Sequence, residues 1–355
     1  MAEWKEYELN QICSRLSSGK GLPAKKISDS GKYPVYGGNG LRGYTETANF
    51  EGDCAIIGRQ GAYCGNVRYF SGTAYMTEHA VVTCANENNN TRYLSYLLST
   101  MNLGRLSGQS AQPGLSVKTL GKQVVKVPPL TIQNKIVSIL AALDTKIEDN
   151  EKINKNLEQQ AQTIYQQMFI DNPYSDWIEG SLSDIADITM GQSPSGSSYN
   201  EDGIGTIFFQ GRAEFGFRFP TIRLYTTEPK RMACANDTLM SARAPVGDIN
   251  VAHTDCCIGR GLAAIHSKTN HQSFVLYTMY SLKKQLDVFN GEGTVFGSIN
   301  RNSLNDMPIL IPSDEAINEF ERIVAPMDAA IRNNYDEVCH LQACLLYTSP
   351  SPRDA

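Results

Sequence analysis

The chain has 355 residues, 41% of them hydrophobic and 19% charged, which is ordinary for a globular protein with two or three domains. No apolar run approaches the roughly 18 residues that a membrane-spanning helix needs. The first residues, MAEWKEYEL, carry charges where a signal peptide is apolar. We therefore expect a cytoplasmic protein with no membrane partner.

The formal net charge of −5 is unevenly distributed along the chain. Residues 1–129 carry 14 Lys and Arg against 9 Asp and Glu, whereas residues 313–355 carry 3 against 8. A basic first segment is compatible with a nucleic-acid partner but does not require one. The nine cysteines include no C-x-x-C pair, and we predict that they are reduced and mostly buried.

Residues 1–129 have the pattern of a mixed domain of short strands with one helix. Apolar runs between glycine and turn residues predict strands at 54–58, 66–70 and 79–84, and TRYLSYLLSTM predicts a helix at 91–101. The domain ends at VVKVPPL, because consecutive prolines cannot continue a strand ladder but readily precede a helix.

A long heptad helix is predicted over residues 130–170. Asn150 and Asn154 take two positions of a seam that is otherwise apolar, which indicates packing against a second long helix. At about 1.5 Å per residue, roughly 40 residues would make a rod about 60 Å long. The apolar seam residues are Ile136, Leu140, Leu143, Ile147, Leu157, Ala161, Ile164 and Met168.

The pattern begins again after the helix-breaking segment DNPYSD. Trp4 recurs as Trp177, 173 positions later, and Arg59 recurs as Arg243, 184 positions later. The change of spacing places a loop insertion of about eleven residues near 191–205, where it is inexpensive. The second copy also ends in a heptad helix, with seam residues Ile317, Phe320, Val324, Met327, Ile331, Asn334, Val338 and Leu341.

These patterns predict an α+β (mixed) fold. Two tandem α/β domains, residues 1–129 and 171–312, would be separated by a pair of long coiled-coil helices, residues 130–170 and 313–343. If these helices run antiparallel, the domains lie at opposite ends of the pair and the internal duplication has pseudo-twofold symmetry. Residues 344–355, CLLYTSPSPRDA, leave the heptad and resemble a translated sequencing adapter, so we expect a non-native tail and a truncated second helix.

Two motifs that contain glycine or proline are better explained by a structural role than by a catalytic role. GGNGLRG at 37–43 contains G-x-G-x-x-G, but it does not join a buried strand to a helix, so a glycine-rich turn that presents Arg42 and Tyr44 is favoured. DNPY at 171–174 lacks one proline of the amino-methyltransferase motif and lies at a helix stop.

No motif assembles a catalytic or metal site. His253, Cys256 and Cys257 have the residue types of metal ligands but no second pair at zinc-like spacing, which favours structural thiols and a surface histidine. Hydrolase, zinc-protease and P-loop signatures are also missing. The sequence therefore indicates a non-catalytic chain with no metal and no cofactor of its own.

Polar and planar side chains on glycine-punctuated loops remain as candidates for binding. Residues 56–69 and 239–253 match each other, each with an apolar strand, an arginine, a turn and an asparagine. Arginine and asparagine can make bidentate contacts with guanine and adenine edges. Any one of these residues could instead be a solvated turn residue, but their duplication favours DNA binding. The candidates are Arg42, Arg59, Gln60, Tyr63, Asn66, Arg68, Gln109, Gln112, Gln210, Arg212, Arg218, Arg243 and Asn250.

Nearly the whole chain resembles the specificity (S) subunit of type I restriction-modification systems. The resemblance lies in PVYGGNGLRGY, IIGRQGAYCGNV, SAQPGLS and above all VPPLTIQNKIVSILAALDTKIE, with a degenerate second copy at 311–331. It implies two target recognition domains, each reading one half of a split site in double-stranded DNA. It also implies that the helices form an antiparallel pair that spaces these domains and docks methyltransferase (M) subunits. Ile317 departs from the pattern, because the first copy has Gln133 there.

The resemblance also implies that the chain performs no chemistry. Methyltransferase subunits, expected to be two, would bring S-adenosylmethionine, and restriction (R) subunits would bring ATP- and Mg-dependent translocation and cleavage. A rod of about 45–60 Å would let the domains reach major grooves about one turn, or 34 Å, apart, and Lys20, Lys25 and Lys26 would attract phosphates. The alternative is a non-catalytic coiled-coil scaffold with two protein-binding modules.

Overall fold

The computed structural model describes residues 4–107, 114–174, 177–291 and 297–348, and the chain divides into two compact units. The first unit comprises Met1–Glu148 with Val338–Ala355, and the second comprises Asp149–Glu337. The division falls within both long helices, after Glu148 in the first and after Glu337 in the second. No helix among the described residues is long and apolar enough to cross a membrane.

The first unit is a mixed sheet domain followed by the beginning of the long helix. Its helices are α1 (Leu9–Ile12), α2 (Thr91–Ser99), α3 (Val117–Gly121) and the first part of α4 (Leu130–Tyr165). Its strands are β1 (Lys5–Glu8), β2 (Cys13–Ser18), β3 (Tyr33–Gly37), β4 (Gly40–Thr45), β5 (Phe50–Gly58), β6 (Val67–Met76), β7 (Ala80–Ala85) and β8 (Val124–Val127).

Six strands of this unit form one sheet in the order β2-β7-β5-β6-β3-β4, and β1 pairs separately with β8. Only the β3–β6 pair of this described sheet is parallel. Helix α2 packs on the sheet because Tyr93, Leu94 and Leu98 fall on one face and are buried with Ile57 and Val81. The core of the domain therefore lies between this helix and the central strands.

The three strands and the helix predicted for residues 54–101 are confirmed as β5, β6, β7 and α2. Strands β5 and β6 are longer than their apolar runs, since their ladder extends from Phe50↔Ala74 to Ile57↔Val67. Pairing with a neighbour, rather than local apolarity, sets the length of these two strands.

The second unit contains the end of α4 and a second mixed domain. Its further helices are α5 (Leu182–Ile185), α6 (Gln272–Ser281), α7 (Lys283–Leu286), α8 (Arg301–Asn305) and, as far as Glu337, α9 (Asp314–Thr348). Its strands are β9 (Ile178–Ser181), β10 (Ala186–Met190), β11 (Tyr199–Asn200), β12 (Thr206–Phe209), β13 (Leu224–Thr226), β14 (Met232–Ala233), β15 (Thr238–Ser241), β16 (Ile249–Val251), β17 (Cys256–Ile258), β18 (Leu262–Ser267) and β19 (Pro308–Ile311).

The duplication is visible in the internal topology of each unit. The sheet β10-β18-β15-β16 repeats the order β2-β7-β5-β6 of the first unit, and β9 pairs with β19 as β1 pairs with β8. A further sheet, β11-β13-β12-β17-β14, completes the second unit. The insertion predicted near 191–205 lies between β10 and β12 and contributes β11.

The two long helices are nearly equal in length, with 36 residues in α4 and 35 in α9. A π-helical segment, Gln166–Asp171, extends α4. The prediction of a helix end at residue 343 is wrong, because α9 continues to Thr348. The heptad ends before residue 344, but the sequence from residue 344 to Ser349 contains no proline or glycine that would stop the helix.

Within the second unit, α4 and α9 run antiparallel. Asn150 Nδ2 donates to Glu337 Oε2 at 2.7 Å, near the start of this part of α4 and the end of this part of α9. Fifteen residues further along α4, the ring centroids of Tyr165 and Phe320 lie 5.6 Å apart. Residue numbers therefore rise along one helix as they fall along the other.

Asparagines form a polar layer between these helices. Asn154 is buried, and its Nδ2 donates to the carbonyl of Ile331 at 3.2 Å. Asn334 Nδ2 donates to Asn154 Oδ1 at 2.9 Å. The amides thus satisfy one another where an apolar seam would otherwise continue.

The apolar residues of the two long helices also complete the core of the unit in which they lie. Phe320 and Val324 of α9 lie in one core with Leu182 and Phe274 of the second domain. Ile136 of α4 packs against the core of the first domain. Heptad spacing therefore reports burial against a domain as well as against a helix. The buried seam residues are Leu140, Ile147, Ala161, Ile317, Phe320, Val324, Ile331 and Val338, and the partly buried seam residues include Ile136, Leu143, Leu157, Ile164, Met168 and Met327.

The nine cysteines are free thiols, in agreement with the prediction that they are reduced. Burial raises the pKa of Cys54 to about 12, so this thiol stays protonated and packs as an apolar side chain. The prediction that most are buried holds for part of the set. Cys54, Cys256 and Cys257 are buried, Cys13, Cys64 and Cys84 are partly buried, and Cys234, Cys339 and Cys344 are exposed.

Candidate nucleic-acid interface

A glycine-rich hairpin presents Arg42 on the first unit. Strands β3 and β4 are joined by a two-residue turn, and Gly40, directly after it, has a φ of +100°, which favours glycine. A Cβ atom at Gly40 would lie 3.0 Å from Arg68 Nη1, so the missing side chain leaves room for that guanidinium. Arg42 and Arg68 are both exposed. The predicted glycine-rich turn is confirmed.

A tight loop with Arg59 at its start connects β5 to β6. The amide of Gly65 donates to the carbonyl of Gly58 at 2.8 Å, which closes the loop. Gly65 has a φ of +87°, and a Cβ atom there would lie 2.1 Å from the backbone nitrogen of Gly104. The loop is therefore held firmly against the domain. Its exposed residues include Gln60, Tyr63 and Asn66.

The hairpin and this loop lie side by side. A Cβ atom at Gly38 would be 3.4 Å from the backbone nitrogen of Arg59, which is half-buried and donates from Nη1 to Ser18 Oγ at 3.3 Å. We call Arg42, Arg59 and Arg68 the first arginine surface. Across the described residues none of these three arginines forms an ion pair, so their charges remain available to an anionic partner.

The second unit has an equivalent loop, with Arg243 after β15. Arg243 forms a β-bridge with Ser298, as Gln60, next to Arg59, does with Gly114. Gly114 and Ser298 stand 184 positions apart, the same spacing as Arg59 and Arg243. The same contact between an arginine loop and a distant segment therefore occurs once in each unit.

Arg260 joins Arg243 in the second unit, although it was not among the predicted contact residues. Both are exposed and line a cleft of about 330 Å³. The available signal was Ile-Gly-Arg at 258–260, which repeats Ile-Gly-Arg at 57–59. We call Arg243 and Arg260 the second arginine surface. Within the described ranges neither forms an ion pair.

Gln210 and Arg212 are also on the second unit, where Gln210 is exposed. Arg212 Nε lies 2.7 Å from Asp248 Oδ2, and Lys283 Nζ lies 3.3 Å from the other oxygen of the same carboxylate. The charge of Arg212 is thus partly compensated, which makes this arginine less available to DNA than Arg243.

Arg218 lies in the interior, which corrects its prediction as a surface contact. It is 2% exposed, and its guanidinium donates to Glu158 Oε1 at 3.1 Å, to Tyr277 OH at 3.0 Å and to Asp328. Burial opposes its charge, but the adjacent Asp328 carboxylate holds the pKa of the guanidinium above its ordinary value. Both terminal nitrogens of the guanidinium are therefore engaged within the protein.

Asn250 is likewise interior. Its Nδ2 donates to the carbonyl of Gly216 at 3.0 Å, and the residue is 1% exposed. Its equivalent Asn66 is exposed because it precedes β6, whereas Asn250 lies inside β16. Two asparagines at equivalent positions of the repeat therefore have different environments in the structure. Gln109 and Gln112 lie outside the described residues.

No metal-ligand cluster is present in the part of the chain that the structure describes. His253 Nε2 lies 2.6 Å from Asp336 Oδ1, while Cys256 and Cys257 are buried in β17. The burial of the two thiols agrees with the predicted structural role. His253 was predicted to lie on the surface, but it is partly buried and pairs with Asp336.

A family model described as the type I restriction modification DNA specificity domain matches the chain twice, over residues 1–159 and 174–336. The protein belongs to this family and carries two of its domains in tandem. It is a specificity subunit, the component that recognises the DNA sequence.

Individual relatives agree with this assignment. The putative type I restriction enzyme MjaX specificity subunit of Methanocaldococcus jannaschii is 29% identical, with 87% of this chain and 83% of that protein aligned. The EcoprrI specificity subunit of Escherichia coli is 39% identical over 147 residues, 40% of this chain and 36% of that protein. The crystal structure of the type I S subunit from M. genitalium shares the fold, with a TM-score of 0.69, 15% identity, and 98% and 95% of the two chains covered.

Proposed function

We propose that each domain reads one half of a split, asymmetric site in double-stranded DNA. The observation that carries the proposal is the arginine loop at the same topological position in two tandem specificity domains. Arginine can contact the O6 and N7 atoms of guanine in a bidentate manner, and a rigid loop can place it in the major groove. The first arginine surface would read one half-site and the second arginine surface the other.

Phosphate contacts would position each domain without specifying sequence. Lys20, Lys25 and Lys26 are exposed on the first unit. Their charges would strengthen binding through release of counterions, so affinity would fall as salt rises.

The long helices would set the distance between the half-sites. Their heptads favour coiled-coil packing, and the duplication favours a pseudo-twofold relation between the two halves. A helix of 35 residues at about 1.5 Å per residue is roughly 50 Å long. That length is compatible with major grooves about one turn, or 34 Å, apart.

Partner subunits would supply the chemistry, and this chain would be non-catalytic. We infer two methyltransferase subunits that bind S-adenosylmethionine, one for each half, and restriction subunits that use ATP and Mg. The duplicated helices, residues 130–170 and 313–343 in the sequence pattern, offer two equivalent docking segments.

The test is expression of the chain with its cognate methyltransferase subunit in a host that lacks other methylation. Modification-sensitive sequencing should detect one split motif, methylated only when both subunits are present. A complex that forms but leaves the genome unmodified would contradict the proposal and favour the scaffold alternative.

A further inference from the structure

Two carboxylates at equivalent positions of the duplicated helices accept hydrogen bonds from side chains of the domains. Asp144 lies on α4 and Asp328 lies on α9, 184 positions apart, which is the repeat spacing. Each contacts an arginine and a tyrosine of the domain in its own unit. A surface carboxylate on a spacer helix would not need such partners.

The first cluster consists of Arg92, Tyr96 and Asp144. Arg92 Nη2 lies 3.2 Å from Asp144 Oδ2, and the hydroxyl of Tyr96 donates to the same oxygen. Arg92 Nε also lies 3.2 Å from that hydroxyl, and its guanidinium carbon lies 5.0 Å from the ring centroid of Tyr69. Helix α2 of the first domain is thereby tied to α4 by charged and planar groups.

The second cluster consists of Arg218, Tyr277 and Asp328. Arg218 donates to Asp328, and Tyr277 OH donates to Asp328 Oδ1 at 2.9 Å. Glu158 of α4 extends it, accepting from Arg218 and, at 3.1 Å, from Tyr280 OH. The second domain is thereby tied to both long helices within its unit.

The two clusters each place an arginine beside a helix carboxylate, but the arginines come from different elements of the domains. Arg92 comes from α2, whereas Arg218 comes from the segment between β12 and β13. The residue 184 positions after Arg92 is Leu276, so the second arginine is not the duplicated copy of the first. Inheritance from one ancestral domain does not account for an arginine at both carboxylates.

Apolar packing alone would not fix the angle of a domain on its helix, because hydrophobic contact is non-directional. Charge-assisted hydrogen bonds to planar guanidinium groups are directional. We propose that Asp144 and Asp328 are positioning residues that fix the orientation of each recognition domain on its helix, and so restrict the unread gap that the complex accepts. This inference rests on the proposed function.

The experiment measures methyl transfer by the assembled complex on duplexes that carry both half-sites and differ only in gap length. The variants are Asp144→Asn and Asp328→Asn, and Glu151→Gln, an exposed carboxylate of α4, is the matched control. Wild type and control should prefer one gap. In each aspartate variant, the rate on gaps one base pair shorter or longer, relative to the optimum, should rise about fivefold or more. The half-site sequences should stay the same.

A charge-free variant separates orientation from folding. Arg218→Met with Glu158→Gln and Asp328→Asn removes the second cluster without leaving a buried unpaired charge. It should assemble and show the same broadened gap preference. Retention of the wild-type gap profile in the assembled variants would overturn the inference. Loss of methylation at every gap length in both the single and the charge-free variants would also overturn it, because the cluster would then serve folding only. Failure of the proposed function would appear separately, as a wild-type complex that methylates no split motif.

Discussion

Arg59 and Arg243 start equivalent loops but have different surroundings. Arg59 is half-buried and donates to Ser18, whereas Arg243 is exposed beside Arg260 in a cleft. The backbone on which each stands is fixed by a bridge to a distant segment. Each guanidinium can therefore be presented to DNA from a preformed position, which reduces the entropy lost on binding.

Substitution of either arginine should affect one half-site only. Arg59→Ala should weaken discrimination at the first half-site, and Arg243→Ala at the second, by about 1–3 kcal/mol for each bidentate base contact that is removed. The measurement is methyl transfer to duplexes in which one half-site at a time is varied. Arg322→Ala, at an exposed arginine of α9 paired with Glu319, is the control and should leave both half-sites unchanged. Equal loss at both half-sites would assign Arg59 and Arg243 to folding or assembly.

At the scale of single residues, the sequence indicated which kinds of side chain could contact DNA, but it did not indicate which of them are exposed. Arg68 and Arg218 both lie among aromatic residues, in NVRYF and FGFRF. One is exposed and the other is buried between two carboxylates from the long helices. The difference depends on residues 60 and 110 positions away in the chain, which no local pattern contains.

At the scale of elements, the Arg59 loop depends on glycine for two separable reasons. Gly61 and Gly65 both have positive φ, +77° and +87°, which disfavours any other residue. A Cβ atom at Gly61 would meet nothing within 4 Å, whereas one at Gly65 would clash with the backbone of Gly104. A substitution at Gly61 would cause backbone strain alone, whereas a substitution at Gly65 would cause backbone strain and a steric clash.

This difference gives a matched pair of variants. Gly61→Ala should cost about 1 kcal/mol, from backbone strain. Gly65→Ala should cost at least about 2 kcal/mol more, because the clash involves main-chain atoms that cannot rotate away. Thermal unfolding of the full chain measures the loss of stability, and methylation of the first half-site measures the loop. Equal effects of the two substitutions would show that the contact with Gly104 does not hold the loop.

The long helices were predictable in position and sense, but not in all their contacts. The heptads predicted that the two helices pack on each other, and the family resemblance implied an antiparallel pair. Within the second unit, the contacts of Asn150 and Asn154 run in that sense. The same apolar residues also complete the domain cores, because a single helix face can contact both a helix and a sheet domain. A repeat of seven does not distinguish these neighbours.

At the scale of the whole molecule, positive charge is concentrated in the first domain. The chain carries a net charge of −5, yet residues 1–129 have an excess of Lys and Arg over Asp and Glu. An acidic remainder would repel DNA and limit non-specific binding, while the basic domain would attract phosphates locally. A small number of lysine–phosphate pairs should therefore account for the salt dependence of affinity.

Removal of exposed lysines should change the salt dependence without changing the motif. The double variant Lys25→Gln with Lys26→Gln should make the slope of log affinity against log salt shallower by about 0.9 for each phosphate that is no longer neutralised. The measurement is DNA binding by the assembled complex across a salt series. Lys155→Gln, at an exposed lysine of α4, should leave the slope unchanged. An altered methylation motif in the double variant would show that these lysines read bases instead.

The sequence by itself determined the duplication, the two long helices, the strands and helix at 54–101, and the family. These features follow from local periodicity and from spacings that repeat along the chain. Only the tertiary structure decided that Arg218 and Asn250 are interior and that Arg260 lies beside Arg243. It also decided that Asp144 and Asp328 accept hydrogen bonds from side chains of the domains. Exposure and pairing depend on which distant segments meet, and that is set by the packing of the whole domain rather than by any one stretch.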